Sequence, residues 1–358
     1  MHTDIDGFIV TYFNLIRTII AILIGMTISV GIIILLVKAP GGSIVAFLVG
    51  PFSSVSRIGS ILEKASPIIL CGLAIAVSFQ AGQFNLGAEG SLVLGACAGT
   101  AFSLAFGGPS WLQIPLTLIV AAVAGGLWCL IPGVLKAKLG ADEVVVTLLM
   151  NYVAFYLAIY VVNYLIRDVN AGFMVSRTLP QSAWLQQFIP GTRVHWGIVL
   201  TFVLVGVVQY LMYSTSLGYE IRMTGHNLGF ARYAGVNIVK IIVLSSLISG
   251  ALAGIGGMTE IMGIHRRFNW QTSPGMGWDG VVVAIIGRNN PILLVFASLF
   301  LSYLRVGGQV LNISSSVPAE TVNIIQSIIM ILITAEAFMA SWKNRVLIRR
   351  SLSAGGLK

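Results

Sequence analysis

An all-α integral membrane protein is the fold class the sequence predicts, on three observations. Hydrophobic residues make up 57% of the 358 positions and charged residues 9%, where a soluble globular chain carries about 25% charged. Uncharged runs of roughly twenty residues, the length that crosses a bilayer core of about 30 Å, recur from one end of the chain to the other. Glycine, proline and short charged clusters punctuate those runs and mark where helices stop.

The runs are 19–37, 65–88, 90–135, 144–166, 194–219, 241–259, 281–287, 289–304 and 321–335. The third is long enough for two helices, with Gly107, Gly108 and Pro109 as the turn. The stretch 275–304 is interrupted at Arg288-Asn289-Asn290-Pro291, so each piece reads as too short to cross alone and a re-entrant pair or two short helices are expected. About 8–10 transmembrane helices with broken segments follow, in one polytopic domain over 1–343 with a basic tail at 344–358. Run 19–37 has no small-residue cleavage pattern after it and reads as an uncleaved first helix. The tail, Lys136, Lys138 and the loop carrying Arg222, Arg232 and Lys240 belong inside by the positive-inside rule, which places both termini in the cytoplasm.

Composition also excludes. A net charge of +9 would suggest nucleic acid in a soluble protein; here the basic residues lie between apolar runs and suit anionic lipid, with no nucleic-acid partner. Cys71, Cys97 and Cys129 lack C-x-x-C spacing and His2, His195, His226 and His265 offer no i, i+4 pair, so neither disulfide nor metal is expected. No phosphate loop of the G-x-x-x-x-G-K-[ST] type and no catalytic grouping occurs, so the chain reads as no enzyme.

Three polar interruptions carry the chemistry. In Phe84-Asn85-Leu86-Gly87-Ala88-Glu89-Gly90, Asn85 suits a helix N-cap, two glycines permit non-helical backbone, and Glu89 falls in the first turn of a restarted helix. An ionisable group between spans is costly and so is a functional candidate, with helix capping or pairing with a lysine as the equal alternative. Gly275-Met276-Gly277-Trp278-Asp279-Gly280 repeats the grammar ahead of an apolar half-helix, as in transporters whose interrupted segments meet at a midplane site. The third, 217–240, holds Glu220, Arg222 and a short helix capped by Asn227, with Gly229, Ala231 and Arg232 on it, a small face of Ala231 and Ala234, and Gly235 at its end. Such a helix suits docking into another protein's groove; an ordinary connector is the alternative. Gly250, Gly254, Gly256 and Gly257 read as close helix packing.

Together, 84–90, 217–237 and the block 277–291 resemble the permease subunits of bacterial ABC importers, in the group serving branched-chain amino acids, simple sugars and nucleosides. The Phe-Asn-x-Gly-Ala-Glu-Gly form is similar to the nucleoside and simple-sugar branch, although Ser91 stands where that branch commonly has Gln. The resemblance implies a type II importer fold, a second permease that is a paralogue, a cytoplasmic ATPase that binds the ATP, and an extracytoplasmic binding protein facing the loop 167–195. This chain itself needs no cofactor. Residues 227–237 would be the coupling helix, steadied by Glu220 and Arg222. Glu89 and Asp279, with Gln83, Phe84, Asn85 and Trp278, would shape a pathway for nucleosides, purine nucleosides foremost, or for simple sugars. An ion-coupled secondary transporter using Glu89, Asp279 or Glu260, and a membrane scaffold, are the readings from other classes.

Overall fold

The structure is a computed structural model that describes residues 40–314, together with Thr27, Val30, Gly31, Ile34 and Ser327. The runs 19–37 and 321–335 and the basic tail thus fall outside the continuous described stretch. Its helices are α1 (Pro40–Leu48), α2 (Val55–Gln80), α3 (Ala88–Ala105), α4 (Ser110–Leu139), α5 (Glu143–Tyr164), α6 (Gly197–Ser214), α7 (Ser216–His226), α8 (Leu228–Tyr233), α9 (Ile238–Glu260), α10 (Met276–Ile286) and α11 (Pro291–Ser314). A π-helical turn, Ile261–His265, prolongs α9. Seven of these helices among the described residues are long and apolar enough to span a membrane, and α10 is a shorter apolar one. The chain is a multi-pass membrane protein.

Side-chain caps set most starts. Ser54 accepts from Arg57 N–H (3.3 Å) to open α2, and Asp142 from Val144 and Val145 N–H to open α5. Asn237 does the same for α9 through Lys240 N–H (3.0 Å). Each accepts a first-turn donor that has no partner inside the helix. Gly140, left-handed at φ 66°, ends α4 after Lys136 and Lys138.

Helix α2 is the centre. Residues Ala65–Val77 are almost wholly buried, against α9, α10, α11 and α6. Around it α9 packs closely on α3 and α4: a Cβ on Gly125 would lie 3.0 Å from Gly254 Cα. The glycines of α9 therefore serve backbone-to-backbone contact, as their spacing suggests.

Three boundaries differ from the sequence reading. Helix α2 begins ten residues before the uncharged run and carries Arg57, Glu63 and Lys64, because charges at a helix's outer end do not stop it. Asn85 does not cap α3; its Oδ1 accepts from Gly87 N–H (2.7 Å) in a tight turn, and Gly87 occupies the cap position. The piece after Pro291 is no half-span. Helix α11 runs past Leu304 to Ser314, since the charge of Arg305 that ends the apolar run is neutralised by Asp279 at 2.5 Å.

Candidate functional site: two helix breaks clasped together

Between α2 and α3 the backbone leaves helical geometry at Gly82 (φ 73°). In a spanning region, backbone groups freed by such a break need partners from elsewhere in the protein. Helix α5 supplies them from one stripe spaced four residues apart. Phe84 N–H donates to Glu143 Oε1 (2.5 Å), Leu86 N–H to Thr147 Oγ1 (3.2 Å) and Gly90 N–H to Asn151 Oδ1 (2.9 Å). Asn151 Nδ2 in turn donates to the Leu86 carbonyl (2.9 Å). Lys136 meets Glu143 at 2.5 Å.

Gln83, two per cent exposed, ties the same break to α9: its amide donates to the Ile242 carbonyl (2.9 Å) and Ser245 Oγ (2.6 Å) and accepts from Ser246 Oγ (2.8 Å). Asn85 is buried and donates to Cys129 Sγ at 3.2 Å. Phe84 is half-exposed and stacks on Phe79, with centroids 4.8 Å apart.

The second break lies between the π turn and α10. Its anchor is Glu89. The buried carboxylate accepts from Gly275 N–H (2.7 Å), Gly277 N–H (2.6 Å) and the Ser273 hydroxyl. Gly275 itself, at φ 77°, brings no side-chain cap. Glu89 thus caps a helix that is not its own, placing negative charge at the α10 amino end where the backbone dipole favours it. Gly277 is required for the approach, because a Cβ there would lie 2.5 Å from Glu89 N. At the other end of α10, Gln80 Nε2 donates to the Asn289 carbonyl. Asn289 and Arg288 are left-handed (φ 58° and 54°). The 11 residues of α10, about 16 Å long, are therefore held at both ends by the residues that bracket the first break. Asp279 is buried on α10 and paired with Arg305; Trp278 beside it is 43% exposed.

Of the six pathway candidates, then, Gln83, Asn85, Glu89 and Asp279 are buried and bonded within the chain, and Phe84 and Trp278 reach the surface. The polar stripe Glu143, Thr147, Asn151 was missed by the sequence reading. Its signal was present as three polar residues at i, i+4 and i+8 among the valines and leucines of the first half of the helix.

The third interruption forms α7 and α8. Asn227 accepts from Phe230 N–H (3.0 Å) and Gly235, at φ 82°, follows the end of α8. Only half of the small face points outward: Ala231 is fully buried, while Ala234 is exposed together with Leu228, Gly229, Phe230, Arg232 and Tyr233. Glu220 is half-buried, and the Arg222 guanidinium lies over the Tyr213 ring at 4.7 Å. Gly225 touches the first break directly. A Cβ on it would collide with the Gln80 carbonyl, and a Cβ on Gly82 would lie 3.0 Å from Gly225 Cα. Around this contact a cleft of about 470 Å³ opens between Phe79, Gln80, Tyr213, Arg222, His226 and Arg288-Asn289.

At the far end, the segment between α5 and α6 folds over the π turn. Leu185 N–H donates to the Met262 carbonyl (3.2 Å), Leu179 N–H to Arg266 (2.8 Å), and Arg266 stacks on Trp184. His195 packs closely against Gly263, where a Cβ would collide with the ring Nε2, and burial pushes its pKa down to about 4, so the imidazole is neutral there.

The model of a family described as branched-chain amino acid transport system / permease component matches residues 57–334. The guanosine ABC transporter permease NupP of Bacillus subtilis is 35% identical, covering 90% of this chain and 93% of that one. The glucose ABC transporter permease TsgB13 of Haloferax volcanii is 36% identical over 78% of this chain and 76% of its own. The nucleoside ABC transporter permease NupB of Lactococcus lactis is 28% identical over 80% and 82%. No solved structure matches the chain.

Proposed function

The chain belongs to the family of branched-chain amino acid transport system permease components, and from that premise we propose that it forms the membrane pathway through which a partner ATPase drives nucleosides, purine nucleosides foremost, into the cell. It is a transport component and no enzyme. The substrate reading is supported by the guanosine and nucleoside permeases among its relatives. An extracytoplasmic binding protein delivers the substrate, a paralogous permease completes the pathway, and the α7–α8 end faces the cytoplasm. The ATP stays on the partner.

The observation that carries this reading is the backbone contact of Gly225 with Gln80 and Gly82. A machine without its own nucleotide site can be worked only through a stiff lever, and 217–240 is that lever, with Leu228, Phe230 and Tyr233 presented to the ATPase. Movement of α7 acts on the first break, passes through Glu89 to the amino end of α10, and returns through Asn289 to Gln80. The pathway holds its substrate weakly, since tight binding would slow release, and selectivity rests mainly with the binding protein.

The test is uptake of radiolabelled guanosine in a strain lacking this chain and in one restored with it, competed with glucose and with leucine. Restored uptake that only nucleosides compete supports the proposal; competition by glucose favours the sugar reading that the TsgB13 likeness motivates. Ion-gradient-driven uptake without the ATPase would overturn it. Gly225→Val should insert normally and lose uptake.

A further inference from the structure

Two exposed rows on neighbouring helices have the same spacing, one aliphatic and one aromatic. On α4 the row is Ile119, Val123, Leu127 and Ile131, all outward-facing and all aliphatic. That is a surface matched to hydrocarbon. On α5 the residues at the same four-residue interval are Tyr152, Tyr156, Tyr160 and Tyr164, between 57% and 75% exposed, on a face they share with the exposed Val145, Leu149, Val153 and Leu157. Among the described residues none of the four hydroxyls is engaged; Tyr160 and Tyr164 meet ring to ring at 4.9 Å, and Tyr156 edge-on with Phe155 at 5.8 Å.

Depth separates the possibilities. Helix α5 is 22 residues, about 33 Å, so Tyr152 and Tyr156 stand about 14 and 20 Å from its start, inside a hydrocarbon core of about 30 Å. Tyrosines anchoring a span belong at the two interfaces. Tyr164 fits such a belt, but Tyr152 and Tyr156 are too deep for it. A hydroxyl facing lipid at that depth has no partner and is costly. The opposite face of α5 is the stripe that holds the first break, so the row sits directly behind the machinery the lever moves.

We propose that Tyr152, Tyr156, Tyr160 and Tyr164 line the water-filled pathway and offer successive rings to the flat face of a nucleoside base, a claim that rests on the nucleoside reading above. Successive rings rise by about 6 Å per step. Stacking accepts any base, because every base has a π-face, so the row suits passage rather than recognition. Its hydroxyls are solvated or meet the sugar.

The native cysteines Cys71, Cys97 and Cys129 are buried, which leaves a quiet background for thiol labelling of the assembled importer in membrane vesicles. Tyr152→Cys and Tyr156→Cys are expected to react with a charged, membrane-impermeant thiol reagent at least about tenfold faster than Val123→Cys and Leu127→Cys, and guanosine should slow that reaction. Tyr156→Phe should keep uptake and Tyr156→Leu should lower it about tenfold. Labelling of Tyr152→Cys and Tyr156→Cys only by a lipid-soluble maleimide overturns the proposal in favour of a lipid face. Oxidative dimers without labelling overturn it in favour of a seam between subunits. Fast labelling that glucose slows and guanosine does not, in a complex that carries glucose alone, keeps the row as pathway wall and sinks the nucleoside reading. Labelling that guanosine leaves unchanged, in a complex that does carry guanosine, sinks the stacking claim by itself.

Discussion

The two helix breaks hold non-helical backbone by opposite means. In the first, three side chains of α5 and the amide of Gln83 share the work, and every contact but one is to a neutral group or a backbone atom. In the second, one carboxylate on the first break receives both backbone amides and the Ser273 hydroxyl. The first break is a platform and the second hangs from it. A distributed set of contacts degrades gradually when one is lost. A single charged acceptor fails as a unit, which makes it the place where a moving platform can carry α10 with it.

The sharpest way to break that contrast is Glu89→Ala. It leaves the Gly275 and Gly277 amides and the Ser273 hydroxyl without their acceptor, and bonds to a charged group contribute about 1.5–3 kcal/mol each. A loss of about 5 kcal/mol in the clasp and a fall in guanosine uptake of more than about a hundredfold are expected, with normal membrane insertion. Glu89→Gln retains one acceptor oxygen and should fall between. Initial uptake rates in vesicles decide it; an alanine variant within threefold of the parent would detach Glu89 from the mechanism.

The next effect belongs to the pair Asp279 and Arg305. Removing one partner of a buried ion pair leaves an uncompensated charge, whereas removing both does not. Asp279→Asn or Arg305→Gln alone should each cost about 3 kcal/mol, toward the low end because Arg305 is one-third exposed. The double variant should be less damaged than either single one in thermal unfolding of the purified complex. Additive losses would show that the two side chains act separately.

Asn151→Ala sharpens the contrast from the platform side. It removes two neutral bonds to the first break, at about 1 kcal/mol each, while Thr147→Ala removes one. Uptake should fall only severalfold in Asn151→Ala and less in Thr147→Ala, a graded series unlike the step expected at Glu89. If Asn151→Ala were as severe as Glu89→Ala, the platform would be no more redundant than the second break.

Much of this was legible in the sequence, and the illegible part has a common cause. The turn at Gly107–Pro109, the basic end of α4 and the cap at Asn227 are local signals, read from residues within a turn of one another. The partners of Glu89 lie 184 to 188 positions away. Arg305 looked like the end of a span because its neutralising carboxylate is on another helix. Ala231 looked like a docking face because small residues suit either close packing within a chain or contact with a partner, and spacing alone does not choose between them.

The smallest effect tests the outer attachment of the second break, where the π turn meets a neutral imidazole in place of a charge. Burial holds the folded pKa of His195 at about 4, against about 6.5 in an unfolded chain. Between those values the unfolded state binds the proton that the folded state refuses. Stability therefore stands at its full value above about pH 6.5, declines as the pH falls from there toward about 4, and changes no further below that. From pH 7.5 to 5.5 the loss attributable to this one group is about 1 kcal/mol. Thermal unfolding of the parent and of His195→Asn across that range measures it: the difference between the two curves should narrow as the pH drops, since the variant has no proton to refuse. A difference that stays constant would mean that His195 takes up its proton while folded, and that the outer anchor tolerates a charge.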